Sequence, residues 1–173
     1  PVQTTNVLLE SNVAIAASDA GIYVGQSKQV VVRDNRAEYN VAGIEVENTI
    51  GADVYNNIAN NNTGGILVFN MPSIPQRGYA TRVFDNEIHS NNTENFAIPG
   101  TAVSGVPAGS GVVINSNDQV EVFNNHFSNN NTANIVISSY FSANFAGQRE
   151  LAAEFDPYPE EILIYDNTFE GGG

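Results

Sequence analysis

The chain has 173 residues, 42% of them hydrophobic, with Tyr 7, Phe 9 and Cys 0. That length fits one domain and the apolar content fills a core, which excludes intrinsic disorder, a disulfide scaffold and thiolate metal sites. Six Lys plus Arg against nineteen Asp plus Glu give a net charge of -13, so nucleic acid, a polyanion, is not an expected partner; no apolar run is long enough for a transmembrane segment.

From the N terminus onward one phrase recurs as VLLESN, VVVRDN, ADVYNN, TRVFDN, VEVFNN and ILIYDN, closing on Asn12, Asn35, Asn57, Asn86, Asn125 and Asn167. Apolar residues alternate along each copy, which predicts a strand. The strand stops at Asn, whose side chain bonds nearby backbone and which tolerates a left-handed conformation. A second phrase interleaves with it: GIYV at 21–24, GIEV at 43–46, GILV at 65–68, GVVI at 111–114 and NIVI at 134–137. A third short stretch follows each ladder Asn, as in NRAEYNVAG and NEIHSNNTEN.

Self-similarity at this period predicts an all-β solenoid, a right-handed parallel β-helix of about five to six coils with three short strands each. The ladder asparagines are 23, 22, 29, 39 and 42 residues apart, so the later coils carry insertions. Alternation turns Ile22, Val24, Ile44, Val46, Ile66, Val68, Val112, Ile114, Ile135 and Ile137 inward on the first strand. It buries Val30, Val32, Val54, Val83, Val120, Val122, Ile162 and Ile164 on the second, and Ala37, Ala59, Ile88, Phe127 and Phe169 on the third. The asparagines then form a structural ladder at one corner, with coils about 4.8 Å apart. The opening PVQTTNVLLESN aligns without a gap on VGQSKQVVVRDN at 24–35, and TFEGGG ends just past a third strand. The expectation is a single domain over 1–173, cut from a longer solenoid.

The insertions at 70–80, 96–110 and 139–160 flank the outward face of the first strand, which holds Tyr23, Glu45, Leu67, Val113 and Val136, then Gly25, Glu47, Phe69, Asn115 and Ser138. Exposed apolar columns are commonly covered, so these loops are expected to form a lid, with Ile74, Tyr79, Phe96, Tyr140, Phe141 and Phe145 as plugs. Good helix formers within 147–155 predict a short helix near 148–155, ended before Pro157.

Candidate site residues lie on outward columns. On the second strand Tyr55, Phe84, Phe123 and Tyr165 follow Glu10 and Arg33, giving a platform for a protein or glycan partner. The plainer alternative is that the rings stack on one another to stabilise the sheet. Beside them Asp53, Arg82 and Glu121 alternate in sign, as cross-coil pairs that set register. Tyr23, Glu45 and Glu47 offer a carboxylate pair of the kind that acid/base work or calcium ligation needs, although a solvated acidic face explains the pair more simply. Catalytic residues are not assigned and no metal set is assigned: His89 and His126 lack a third convergent ligand. No cofactor is expected, and calcium is the one ion the acidic surface could take. Asn61, Asn91 and Asn130 stand in N-x-[ST] context inside a recurrent NNT turn, which turn chemistry accounts for.

The segments DAGIYVGQS, RAEYNVAGIEVEN, ADVYNN, NNTGGILVFN, GVPAGSGV and FDPYPEEILIYDNTF span nearly the whole chain. In them the chain resembles a family of secreted or lipoprotein-type bacterial parallel β-helix repeat proteins encoded beside diheme c-type cytochromes. The resemblance implies an extracytoplasmic location (periplasmic, outer-membrane-attached or secreted), with a diheme c-type cytochrome as a partner to expect. It brings no catalytic residue. The leading expectation is therefore a binding or scaffold module, with polysaccharide as the other partner class. The alternatives are a polyuronate lyase or C5-epimerase, supported by fold analogy, and a structural filament or adhesive segment.

Overall fold

The computed structural model describes residues 1–142, 151 and 154–173. Among the described residues seventeen strands take the alternating phrases in turn. The first sheet stacks β3 (Ala20–Gly25), β6 (Ala42–Glu47), β9 (Gly64–Phe69), β12 (Ser110–Asn115) and β15 (Ala133–Ser138). The second stacks β1 (Thr5–Glu10), β4 (Lys28–Arg33), β7 (Ile50–Tyr55), β10 (Tyr79–Phe84), β13 (Asp118–Phe123) and β16 (Leu163–Tyr165). The third stacks β2 (Val13–Ile15), β5 (Arg36–Glu38), β8 (Ile58–Asn60), β11 (Glu87–His89), β14 (His126–Asn130) and β17 (Thr168–Gly172). Every pairing is parallel between successive coils, and Ile22, Ile44, Ile66, Val112 and Ile135 follow one another in register, as the phrase alignment requires.

The interior is a column of aliphatic side chains from all three sheets, with Val24, Val32, Val46, Val54, Val68, Val83, Ile88 and Ile114 wholly buried. Parity along each strand decides which side chains enter it, because successive Cβ atoms leave opposite faces. At the C-terminal coil the parity holds but the burial does not: Ile137, Ile164 and Phe169 are 46%, 43% and 51% exposed. No described coil stacks on their far side.

Each corner is one residue in the left-handed region followed by a ladder residue. Asp34 (φ 56°) precedes Asn35, Tyr39 (φ 59°) precedes Asn40, and Gln26 (φ 51°) precedes Ser27. At the first of these corners Asn35 sends both its backbone N–H and Nδ2 to Oδ1 of Asn57 at 3.0 and 2.9 Å, and Asn57 does the same to Asn86. The predicted ladder is thus a continuous amide stack.

A second ladder, Asn40, Asn62, Asn91 and Asn130, runs up the corner after the third sheet with the same bonds. It explains the NNT turns: Asn91 and Asn130 are fully buried and committed to neighbours, so they are no glycan acceptors. The second strand also bends at its second residue, where Asn6, Gln29, Gly51, Ala80 and Gln119 have φ between 53° and 69°, and Glu161, two residues before β16, repeats the bend at 55°. Stacked vertically, these bends crease the second sheet.

Among the described residues a lid is present, and its 95–109 part uses other side chains than expected. Residues 95–109, with a 3-10 turn at Ala102–Gly105, lay Val103 and Val106 on Leu67 and Val113 of the first sheet. Asn95 holds the loop together by donating from Nδ2 to the carbonyls of Val103 and Val106, each at 2.9 Å. Of the expected plugs, Tyr79, Phe96 and Phe141 are 41%, 43% and 61% exposed, while Val103 and Val106 take the place over the first sheet. Tyr140 is buried and Ile74 half-buried. Phe145 lies outside the described residues, as does the expected helix near 148–155 except for 151, 154 and 155.

Candidate functional site

The second sheet carries the aromatic column where the spacing placed it. Arg33, Tyr55, Phe84, Phe123 and Tyr165 are register partners on β4, β7, β10, β13 and β16. The rings stack with centroids 4.8, 4.9 and 4.9 Å apart and planes within 12° of parallel. The stacking expected of the column is present. Most of each ring face is spent on its neighbour, and such contacts are worth about 0.5–1.5 kcal/mol each. The outer edges stay open, with Tyr55, Phe84 and Phe123 half-buried and Tyr165 42% exposed.

Polar groups border this ridge. Arg82 grips Asp53 with two bonds, Nε to Oδ1 at 2.7 Å and Nη2 to Oδ2 at 2.6 Å, while its guanidinium lies 5.6 Å from the Phe84 ring centroid. The Tyr165 hydroxyl donates to Glu121 Oε2 at 3.0 Å. Being largely exposed, the ion pair contributes at most about 1 kcal/mol and chiefly fixes side-chain direction. Beside it the crease opens as a groove of about 380 Å³ lined by Ala80, Arg82, Gln119, Glu121, Glu161 and Leu163.

Farther along the crease, Arg77 Nη2 donates to Asp118 Oδ2 and, at 3.1 Å, to Asp156 Oδ2. Carboxylate oxygens of Asp118, Asp156 and Glu160 lie within 4.8 Å of one another, making these the described residues that could hold a divalent cation. The guanidinium already occupies the place between the two aspartates. Millimolar calcium should therefore leave the melting temperature of the wild-type chain unchanged in a calorimetric titration. A rise that disappears in Asp118→Asn would show metal displacing the arginine.

The first sheet departs from expectation. Glu45 and Glu47 share one side of β6, yet they are 2% and 8% exposed, so the pair is no solvated acidic face. The error arose because strand parity tells outward from inward but not whether something lies on the outward side. The Tyr23 hydroxyl donates to Glu47 Oε1 at 2.6 Å, and Glu45 Oε2 has no hydrogen-bond partner among the described residues. Burial raises the Glu45 carboxyl well above the ordinary range, with Glu47 and Asp19 adding repulsion. Burial also raises Glu47, opposed by the bond from Tyr23. The phenol of Tyr23 is raised in turn, first by burial and then by its bond to Glu47.

On the third sheet His126 Nδ1 lies 2.9 Å from Glu87 Oε2, the partner its register predicted, and Nε2 lies 3.6 Å from Glu170 Oε2. The bond to Glu87 raises the imidazole above its usual value. His89 pairs in register with Ser128 and does not join His126 in a ligand set.

Sequence reasoning missed Asp19, Arg77, Asp118 and Asp156 as members of charged clusters. Asp118 aligns with Ile50 and Tyr79 in the repeat, and Asp156 sits in an insertion, so periodicity carried no signal for either.

Parallel strands, corner ladders and an aliphatic interior define a right-handed parallel β-helix. The chain belongs to the right-handed beta helix region family, which matches residues 2–149. No curated protein matches it. Among solved structures it is similar to a double mutant of the periplasmic alginate epimerase AlgG, with a TM-score of 0.56 and 10% identity over 97% of this chain. The chain spans 46% of the length of that structure, and at this identity the likeness speaks to the fold.

Proposed function

We propose that the chain is a binding module of an extracytoplasmic β-helix protein, presenting the ring ridge and creased groove of its second sheet to a protein or glycan partner. The observation that carries this reading is the outward column Tyr55, Phe84, Phe123 and Tyr165, whose edges stay open beside a furrow lined by both apolar and charged side chains. Aromatic side chains combine broad apolar area with little entropy to lose, which suits them to the centre of an interface. A periplasmic relative in fold agrees with an extracytoplasmic setting, and no helix among the described residues is long and apolar enough to cross a membrane. The diheme c-type cytochrome of the family that the sequence resembles is the protein partner to test first.

Immobilised chain should bind that cytochrome or one of a set of neutral and acidic glycans. Tyr55→Ala with Phe84→Ala should weaken binding by tenfold or more, since central aromatic anchors are worth about 1–2 kcal/mol each. Unchanged affinity in the double variant would remove the ridge from the interface.

A second reading, a polyuronate lyase or C5-epimerase, draws on the Tyr23 and Glu47 pair and on the alginate epimerase similarity. Such chemistry needs a cation beside the uronate carboxylate. Four of the six basic residues, Arg33, Arg36, Arg77 and Arg82, already face carboxylates, on the second and third sheets. Incubation with alginate and pectin plus calcium, followed by ultraviolet absorbance and NMR, tests this reading; neither unsaturated ends nor changed epimer content is expected.

A further inference from the structure

The ridge leaves the buried acids of the first sheet unused. Glu45 is flanked in register by Tyr23 of β3 and Leu67 of β9, and Glu47 by Gly25 and Phe69. Among the described residues, the titratable groups that interact with the pair are Tyr23, from β3, and Asp19, from the segment before it. From β9 come Leu67 and Phe69, neither of which titrates. The loop over the neighbouring columns, FAIPGTAVSGVPAG at 96–109, contains no titratable residue at all. It lays Val103 and Val106 on Leu67, the side chain next in register to Glu45.

A carboxylate at Glu45 would be a buried charge with another carboxyl two residues away and an unpartnered oxygen. Ionised groups in such places are costly unless paired, and the cheapest relief is to remain protonated. When pH forces the proton off, relief comes instead from letting water in. We propose that Glu45 and Glu47 form an acid-closed latch: protonated, they keep the outward face of the first sheet packed beneath its apolar cover, and ionisation loosens that face together with the 96–109 loop. Opening would unmask Leu67 and Val113, an apolar strip with Tyr23 and the two acids at its border.

The sign follows from linkage. A carboxyl raised in the folded state binds its proton more tightly there than in the unfolded chain. Its stabilising effect is complete below the unfolded carboxyl range and is lost as pH rises through the folded value. Urea midpoints and amide hydrogen exchange between pH 5 and pH 8 read this directly, after correction for the intrinsic pH dependence of exchange. Wild type should lose stability toward pH 8, with protection falling first in β6, β9 and 96–109 while β4, β7 and β10 stay protected. Glu45→Gln, which keeps shape without charge, should abolish most of that slope, and Glu45→Met should do the same by an apolar route. Equal slopes in wild type and either variant would overturn the latch, as would exchange that rises uniformly over all three sheets. If neither variant folds, the exchange pattern of wild type decides alone. Neither result bears on the ridge of the second sheet, whose own test is the double aromatic variant.

Discussion

Asn86→Ala should lower the free energy of unfolding by about 3–5 kcal/mol, while Asn12→Ala in the first described coil should cost less than about 1 kcal/mol. Asn86 Oδ1 accepts from the backbone N–H and the Nδ2 of Asn57, at 2.9 and 3.0 Å. Its own Nδ2 reaches the Val54 carbonyl and Asn125 Oδ1, both at 2.9 Å. Truncation leaves the Asn57 N–H and the Val54 carbonyl short of a partner where water cannot easily follow, because Asn57 and Asn86 are each 1% exposed. Each such orphan costs about 1–3 kcal/mol, well above the net worth of a typical hydrogen bond. Asn12 accepts nothing from a preceding coil within the described residues and is exposed, so it serves as the internal control. Urea unfolding of both variants measures the difference. Equal small losses would mean that the ladder follows the coil without holding it.

The same contrast explains what could be read from the residues. Strand parity and the Asn phrase are local signals with a fixed period, and a period is what a solenoid converts into vertical registry. The pairings of Ile44 with Ile66 and of Phe84 with Phe123 were therefore legible, as was the stacked column of rings. The second ladder was visible only as NNT turns. Its amides looked like surface turn chemistry because burial at a corner depends on the coils above and below.

Insertions have no period, and what they cover was not legible. Glu45 and Glu47 sit where the repeat put them, yet their burial is a tertiary fact that changes them from a solvated face to a raised-pKa pair. Arg77 and Asp156 meet across 79 residues, each from its own insertion, beyond any pattern within one coil. For the ridge the sequence supplied the residues, while the furrow beside it comes from a backbone bend shared by residues as unlike as Gly51, Ala80 and Glu161.

Gly65→Ala should be among the most damaging single-methyl changes in the chain, costing about 3 kcal/mol or more. A Cβ at Gly65 would stand 2.6 Å from the Gly111 carbonyl oxygen, 2.8 Å from Ile88 Cγ2 and 2.9 Å from Asn91 Nδ2. The first obstacle is backbone of the next coil, which cannot swing aside as a side chain can. Moving it would part β9 from β12 around the Ile66 and Val112 pair and disturb the Asn91 amide of the second ladder. The same geometry recurs up the column: a Cβ at Gly43 meets the Gly65 carbonyl at 2.5 Å, and one at Gly111 meets that of Asn134 more closely still. At the last position of the column the residue is Asn134, with no described coil above it, and its Oδ1 accepts from Asn130 Nδ2 at 3.0 Å. The glycines at 43, 65 and 111 are thus set by coil spacing, not by turn conformation, whereas a Cβ at Gly21 would first meet the Asn40 side chain, at 2.6 Å. Gly100→Ala is the control: φ there is 90° and nothing lies within 4 Å, so the cost is backbone strain of about 1 kcal/mol. Thermal unfolding of the two variants, with hydrogen exchange across β9 and β12, separates the cases. If Gly65→Ala loses no more stability than Gly100→Ala, the coils can spread, and close approach is not what selects glycine in this column.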